Sequence, residues 1–358
     1  MIPSGNTPSS ICILRLSALG DATHVVPVVR ALQQAWPNTR ITWIIGVPEH
    51  RLLQDLNGVE FIVFNKRGGW KAVGELRQAL KHRSFDVLLQ MQVAARANLL
   101  SRLIKAPIRV GWDRSRSRDL HHWFSNRKIA EIPFQHQVQG FLEFPRKLGI
   151  PVEQPNWNIP IRQEAIDWAS DQLSPNRRSL VISPCSSHPS RNWRSENYAS
   201  VADFAIRELG MEVILSGGPS PLEQTTATRI QQAMSLPCTN LVGKDTLEQS
   251  KAMLKLADVV ISPDSGPVHI ASSFGTPVLG LYAATWSRRS GPYNSLDLCV
   301  DRFPEAARKF RNSEPESLRW GTRIEVPGVM ELIDADSVKK QLAGWISSAG
   351  LTRSVTET

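Results

Sequence analysis

The chain has 358 residues, which is more than a single hydrophobic core usually holds and therefore predicts two domains. Its 41% hydrophobic and 21% charged residues exclude a wholly disordered chain, and no apolar run approaches the ~20 residues that span a bilayer. The formal net charge of +9 favours an acidic partner (nucleic acid, an anionic membrane, or a phosphorylated or carboxylated substrate), with a basic surface lacking a specific partner as the alternative.

The cysteines and the N-terminal residues indicate the compartment. The four cysteines are far apart and form no C-x-x-C pair, so we expect neither a disulfide framework nor a zinc site. The first ten residues are polar and carry no visible signal peptide. A cytoplasmic location is expected.

Strands and helices alternate through the first part of the chain. Apolar runs predict strands at 11–16, 41–45, 60–64, 85–90 and 108–111. Amphipathic or capped segments predict helices at 21–36, 70–82, 97–104 and 136–148. This alternation is typical of βαβ units on a parallel sheet.

A run with three prolines, residues 151–160, is interpreted as a linker, after which the alternation restarts. Strands are predicted at 179–183, 212–216, 239–242, 259–261 and 278–282, and helices at 195–209, 222–234, 246–257, 267–275 and 333–346, whereas 291–327 is predicted to be irregular. We therefore expect an α/β protein with two Rossmann-like parallel-sheet domains that face a cleft. The predicted parts are an N-terminal domain 1–155, a C-terminal domain 156–332, a helix 333–348 and a disordered tail 349–358.

Cationic residues gather between 105 and 128 with aromatic residues among them. The cluster is interpreted either as a solvated loop or as a surface for an acidic ligand or an anionic membrane. Binding of single-stranded nucleic acid is a third interpretation, although no recognition-helix, RNP or zinc-finger pattern accompanies the cluster. The residues assigned to this basic cluster are Arg109, Arg114, Arg116, Arg118, Arg127 and Lys128.

The stretch 258–282 predicts a strand, a loop, a short helix and a second strand. Its loop contains Asp264, Ser265 and Gly266, and Pro267 suits the first position of the helix. Free backbone N–H groups at such a helix start favour an anion, for example the diphosphate of a nucleotide.

Other polar residues also follow predicted strands. Asp21 is either a helix cap or a catalytic carboxylate, and Glu223 either holds ribose hydroxyls or lies on a solvated helix face. The hydroxyls of Ser186 and Ser187 and the guanidinium of Arg191 suit phosphate oxygens. The D-x-D triplet that begins at Asp334 directly precedes the last predicted helix, where capping is favoured over metal binding. Neither a G-x-G-x-x-G motif nor a P-loop occurs.

Four motifs together resemble a known family. They are GDATHVVP from Gly20, SS…RNW from Ser186, GGP from Gly217 and PDSGPVH from Pro263. In this order and separation they are similar to the bacterial lipopolysaccharide heptosyltransferases of glycosyltransferase family 9, which have the GT-B fold. The resemblance spans residue 11 to about 285.

The resemblance implies transfer of a heptose, with inversion, from ADP-heptose to a Kdo or heptose residue of the lipopolysaccharide inner core. It implies no catalytic metal and no cofactor. Asp21 would be the general base, with His24 as its rival. The remaining implied roles concern the donor. Ser186, Ser187, Arg191 and the backbone N–H groups of Ser265, Gly266 and Val268 would bind the phosphates, and Pro267, which has no N–H, and His269 belong to the same donor site. Asp264 would bind the sugar, Glu223 the ribose, and Val242, Gly243 and Lys244 the purine.

Some positions depart from the family pattern. Arg191 replaces a common lysine, Ser220 stands where an acid often follows the glycine turn, and 286–327 is longer and more basic than expected. The implied partners are the ADP-heptose donor, the anionic lipid A-core acceptor and the cytoplasmic leaflet of the inner membrane, with peripheral attachment and no nucleic acid. The alternatives are another GT-B nucleotide-sugar transferase, a sugar-nucleotide epimerase, or a non-enzymatic protein that binds nucleic acid or a membrane surface.

Overall fold

A computed structural model of the chain describes residues 7–348. The chain divides into two compact units, Met1–Pro160 and Ile161–Thr358. The tail predicted at 349–358 lies outside the described residues.

The N-terminal unit contains a six-stranded parallel sheet. Its strands are β1 (Ser10–Leu14), β2 (Arg40–Gly46), β3 (Val59–Phe64), β4 (Val87–Gln90), β5 (Ile108–Gly111) and β6 (Arg127–Lys128). Its helices are α1 (Leu19–Ala35), α2 (Val47–Leu53), α3 (Gly69–Leu80), α4 (Ala95–Ser101) and α5 (Gln137–Lys147). The strand order is β3-β2-β1-β4-β5-β6.

The C-terminal unit contains a second six-stranded parallel sheet. Its strands are β7 (Ser179–Ile182), β8 (Glu212–Leu215), β9 (Thr239–Asn240), β10 (Val259–Pro263), β11 (Val278–Tyr282) and β12 (Val300–Asp301). Its helices are α6 (Gln163–Asp171), α7 (Ser195–Leu209), α8 (Pro221–Ala233), α9 (Leu247–Leu256), α10 (Gly266–Ser273), α11 (Ser287–Ser290), α12 (Phe303–Arg311) and α13 (Ala335–Ser348). The strand order is β12-β11-β10-β7-β8-β9.

The apolar runs of the sequence become the central strands. All residues of β1, β4, β7, β10 and β11 are buried, as expected for parallel strands that are covered on both faces. The predicted α/β class with two Rossmann-like parallel sheets is therefore confirmed.

Both sheets share one topology, which determines where ligands bind. Counted from its first strand, each sheet has the order 3-2-1-4-5-6, which changes direction between the first and fourth strands. A crevice opens at such a switch point, outside the carboxyl ends of the two strands. The loops after β1 and β4 line it in the N-terminal unit, and those after β7 and β10 line it in the C-terminal unit.

Three local predictions can be compared with the structure. The segment predicted as irregular contains β12 and α12, whose residues Phe303, Ala306 and Ala307 are buried, so that prediction was wrong. Helix α10 begins one residue earlier than predicted, which makes Pro267 its second residue. Capping by the D-x-D triplet is confirmed, because Asp334 accepts a 2.7 Å hydrogen bond from the Ser337 N–H at the start of α13.

Within residues 7–348, the helices are all too short or too polar to cross a membrane.

Candidate active site

Asp21 lies at the switch point of the N-terminal sheet, in the first turn of α1. One carboxylate oxygen accepts hydrogen bonds from the Ala18 N–H at 3.2 Å and from the Arg15 guanidinium, and the other accepts one from the Gln137 amide. Arg15 is itself anchored by a 2.6 Å bond to the Met91 carbonyl, in the loop after β4. With 26% of its side chain exposed, Asp21 is oriented and still reachable by a substrate hydroxyl. Sequence reasoning missed Arg15 and Gln137.

His24 lies one turn further along α1 and is 3% exposed. Its ring packs against Phe141 of α5, with 5.9 Å between ring centroids. His24 therefore has a packing role, and Asp21 is the more accessible of the two candidate bases.

The basic cluster separates into an exposed and an internal part. Arg109 and Arg116 are half-buried. The guanidinium of Arg116 pairs with Asp113 and donates to the Ala130 carbonyl at 2.6 Å. Internal partners hold the Arg109 and Arg116 side chains, so the assignment of these two residues to a contact surface stays a prediction. The exposed members are Arg114, Arg118, Arg127 and Lys128.

Arg109 ties three carbonyls of the N-terminal unit together. Its Nε, Nη1 and Nη2 donate to the carbonyls of Phe124, Ile104 and Ser101 at 2.9, 2.9 and 2.8 Å. We expect Arg109→Met to lower the free energy of unfolding by about 1–3 kcal/mol, since it leaves these part-buried acceptors without their charged donor. Denaturant unfolding measures this loss. Arg127→Met, at an exposed position, is the control and should change stability by less than ~0.5 kcal/mol; equal effects would contradict the internal role of Arg109.

In the C-terminal unit, Arg191 and Asp264 form the centre of a charged cluster. Arg191 follows β7 in a short 3-10 helix, and Asp264 directly follows β10. Nη1 of Arg191 donates to Oδ2 of Asp264 at 3.1 Å, and its Nε and Nη2 donate to Oε1 of Glu325 at 2.9 and 2.7 Å. Nε2 of His269 lies 3.8 Å from the other Asp264 oxygen. Sequence reasoning missed Glu325, because it lies in the segment that was read as irregular.

These bonds leave part of the guanidinium available. They use three of the five N–H donors of Arg191 toward the described residues, so two donors remain for ligand oxygens. The Arg191 side chain is 12% exposed and that of Asp264 is 11% exposed. The pair is therefore oriented and largely desolvated.

The start of α10 lies beside this pair. Ser265 precedes the helix in extended conformation, and its hydroxyl hydrogen-bonds with that of Ser262 at 2.8 Å instead of capping the helix. The Ser262 hydroxyl in turn donates to the Ser183 carbonyl at the end of β7, also at 2.8 Å. The Gly266 and Val268 N–H groups thus remain directed at the helix start, while Pro267 contributes none.

The loop after β7 is held by a residue that sequence reasoning did not assign. The Ser186 N–H donates to Oδ1 of Asn192 at 2.6 Å, and Ser186 is 4% exposed. Ser187, next to it, is exposed. Of the two predicted phosphate-binding hydroxyls, Ser187 is therefore the accessible one.

Glu223 has a local structural role. Its carboxylate accepts hydrogen bonds from the Gly218 N–H at 2.8 Å and from the Ser220 hydroxyl at 2.6 Å, which closes the glycine turn after β8 onto the first turn of α8. The serine that replaces the family's usual acid is thus the N-cap of this helix. Both oxygens of Glu223 have partners, so its ribose role stays a prediction.

The predicted purine segment follows β9. Val242 is buried, Gly243 has a left-handed φ of +72°, and the Lys244 ammonium turns back to the Asn240 carbonyl at 2.8 Å. Asp245 comes next, and burial, together with the charge of Glu223, raises its pKa to about 6. The Lys244 ammonium is therefore hydrogen-bonded within the segment, which leaves the backbone around Gly243 as the candidate contact for a ligand.

Two six-stranded parallel sheets of this order in one chain are typical of the GT-B fold, and the solved structures agree. A family 9 glycosyltransferase from Veillonella parvula matches with a TM-score of 0.79 at 21% identity, over 95% of this chain and 98% of that one. The Escherichia coli heptosyltransferase WaaC with ADP matches with a TM-score of 0.70 at 21% identity, over 94% and 99%.

The sequence comparisons give the family. A sequence model of glycosyltransferase family 9 (heptosyltransferase) matches residues 73–318. The lipopolysaccharide core heptosyltransferase OpsX of Haemophilus influenzae is 38% identical over 94% of this chain and 96% of its own length. The chain therefore belongs to glycosyltransferase family 9, and the predicted family resemblance is confirmed.

Proposed function

We propose that this protein transfers a heptose from ADP-heptose to a Kdo or heptose residue of the lipopolysaccharide inner core. The observation that carries this proposal is the 38% identity, over nearly the whole chain, with a lipopolysaccharide core heptosyltransferase. The ADP named with the WaaC structure supports the choice of nucleotide. The charged cluster at the switch point of the C-terminal sheet supports donor binding in that unit.

The donor diphosphate is assigned to the start of α10. The N–H groups of Ser265, Gly266 and Val268 bind its oxygens, with Arg191 supplying the positive charge and Ser187 a hydroxyl. Asp264, oriented by Arg191, binds hydroxyls of the heptose. The adenine lies along Val242, Gly243 and Lys244 and contacts mainly backbone.

Asp21 is assigned as the general base. It takes the proton of the acceptor hydroxyl as that oxygen attacks the anomeric carbon, and the bond from this carbon to the diphosphate breaks on the opposite face, which inverts the configuration. ADP leaves with the electron pair of the broken bond. Arg191 and the amides of α10 stabilise the charge that develops on it, so the proposed mechanism uses no catalytic metal and no cofactor.

We also propose that the enzyme attaches peripherally to the cytoplasmic leaflet of the inner membrane, where a lipid A-core acceptor would be embedded. The exposed cations Arg114, Arg118, Arg127 and Lys128 support attraction to an anionic surface.

Calorimetric titration with ADP-, UDP- and GDP-sugars tests the donor assignment. We expect ADP-heptose to bind most tightly and ADP alone to retain much of that affinity, because the diphosphate makes the charged contacts. ADP-glucose is the control for the sugar and should bind with an affinity closer to that of ADP. Tighter binding of a UDP- or GDP-sugar would contradict the assignment, as would turnover of the sugar nucleotide without an acceptor.

A further inference from the structure

The N-terminal unit displays two apolar side chains on a turn that is hydrogen-bonded to α4. Leu120 is 54% exposed and Trp123 is 66% exposed, in the segment between β5 and β6. Asp119 and Leu120 both have left-handed backbone, with φ of 53° and 57°. A bulky residue such as leucine rarely adopts this conformation, so the surrounding structure must impose it.

A network of hydrogen bonds holds this conformation. The Asn98 side chain donates to the Asp119 carbonyl at 2.8 Å, and the Asp119 carboxylate accepts from the Ala95 N–H at 3.0 Å. Both partners belong to α4. The turn is therefore fixed to the helix that follows β4, at the carboxyl edge of the sheet where Asp21 also lies.

His121, between the two apolar residues, is the second anchor and is fully buried. The Trp112 N–H donates to its Nε2 at 3.1 Å, so Nδ1 carries the proton and donates to Oδ1 of Asn98 at 2.9 Å. The same Asn98 oxygen accepts from the Gln90 amide at 2.7 Å. Burial lowers the pKa of His121 to about 4, so the ring stays neutral at neutral pH and its Nε2 can accept the Trp112 N–H. The hydrogen bonds of His121 and Asn98 thus hold the turn in place, while the side chains of Leu120 and Trp123 stay exposed.

The segment that carries these two residues also carries exposed cations, and the helix to which the turn is hydrogen-bonded carries an exposed leucine. Leu99, which follows Asn98 on α4, is 67% exposed. The exposed cations of the same segment are Arg114, Arg118, Arg127 and Lys128. Aromatic and aliphatic side chains surrounded by cations match the interfacial region of an anionic bilayer, where a tryptophan ring lies among the headgroups and lysine or arginine binds lipid phosphates.

We propose that Leu120 and Trp123 insert into the headgroup region of an anionic membrane and form the apolar anchor of a docking surface, with the four exposed cations around it. The choice of a lipid surface as the occupant rests on the proposed lipid-borne acceptor and on this charge complementarity. The anchor adds to the electrostatic attraction proposed above, since cations alone attract a protein to the surface without holding it at one depth. The docked surface would lie at the carboxyl ends of the strands of the N-terminal sheet, where Asp21 also lies.

Binding of the full-length protein to vesicles tests the anchor. The test variant is Leu120→Asn with Trp123→Ser; asparagine tolerates the left-handed backbone, so folding should be unaffected. We expect the double variant to bind vesicles of phosphatidylcholine and phosphatidylglycerol at least about tenfold more weakly than the wild type. Burial of a single apolar side chain already contributes about tenfold to affinity. Leu222→Asn, exposed on α8 of the other unit, is the matched control and should bind like the wild type.

Salt concentration distinguishes the contribution of the cations from that of the apolar anchor. Arg114→Gln with Arg118→Gln should weaken binding most at low salt and only to vesicles with phosphatidylglycerol. The anchor variant should lose affinity at low and high salt alike. Wild-type affinity of the anchor variant, with an unchanged melting temperature, would overturn the proposal. A wild type that is dimeric without vesicles and an anchor variant that is monomeric would also overturn it, in favour of a second copy of the chain as the occupant.

Activity measurements keep this proposal distinct from the proposed function. With an acceptor embedded in vesicles, the anchor variant should transfer heptose about tenfold more slowly, whereas a deacylated, water-soluble acceptor should react at the wild-type rate. Loss of both activities in the variant would contradict a docking role. Absence of transfer by the wild type to either acceptor, with vesicle binding dependent on Leu120 and Trp123, would refute the proposed function and leave the docking surface intact.

Discussion

Asp21→Asn is expected to lower the transfer rate by roughly 10²–10⁴-fold, the range that a positioned general base contributes. Asparagine preserves the size of the side chain and can still accept the hydrogen bonds of Ala18 and Arg15 on its amide oxygen, but it cannot take up the acceptor proton. Affinity for ADP should be unchanged, since the residues assigned to the donor lie in the C-terminal unit. Turnover and calorimetry on the same variant measure both quantities.

His24 provides the matched comparison. His24→Gln changes the rival base, which is buried against Phe141, so we expect a lower melting temperature and turnover within a few-fold of the wild type at a temperature where the variant is folded. If the two variants exchanged these results, His24 would be the base. Unchanged turnover in Asp21→Asn would remove Asp21 from the mechanism.

The order of strands and helices could be predicted from the sequence because each element carries its own local signals. Strand β11 and helix α7 coincide with their predicted bounds, since Pro277 directly precedes the apolar run of the strand and Gly210 directly follows the helix. Helix α12 was missed although Phe303, Ala306, Ala307 and Phe310 repeat at helical spacing, because its arginines and lysine were read as a charged loop. Its apolar period was the signal that could have identified it.

The partners of the candidate site residues could not be predicted in the same way. Asp21 is bound by Gln137, 116 residues away, and Arg191 is bound by Glu325, 134 residues away. Motif spacing identified one member of each pair, because the motif lies beside a strand end. The other member comes from a distant segment whose position depends on the packing of the whole unit, and a single sequence does not contain that information.

The basic cluster also could not be divided into internal and exposed arginines from the sequence. Composition groups Arg109 with Arg114, yet Arg109 donates to three carbonyls within the unit while Arg114 is exposed. A run of arginines looks alike in sequence whether its guanidinium groups bind internal carbonyls or an external anion. Only the location of carbonyl acceptors in the fold distinguishes the two cases.

Arg191→Ala is expected to weaken ADP binding about 10–100-fold, because the diphosphate loses a charged hydrogen-bonding partner. The transfer rate should fall by more, roughly 10²–10³-fold, because charge accumulates on the leaving group in the transition state. It also leaves Asp264 and Glu325 as adjacent, partly buried carboxylates without their cation. The variant should therefore lose stability as well as activity. Arg191→Lys should retain part of the affinity, since lysine supplies the charge without the planar fork that links the two carboxylates.

A second substitution separates donor binding from the structural contribution of Arg191. Glu325→Ala in the Arg191→Ala background removes one unpaired carboxylate and should restore much of the melting temperature while ADP affinity and turnover stay low. Glu325→Gln alone keeps an oxygen acceptor for Nε and Nη2 of Arg191, so we expect only a modest loss of turnover. If Arg191 merely joined Asp264 to Glu325, the double variant would recover ADP affinity together with its stability. Calorimetry with ADP and thermal unfolding of the wild type, Arg191→Ala, Glu325→Gln and the double variant decide between these two roles. Only a direct contact of Arg191 with the diphosphate makes ADP affinity and stability respond separately.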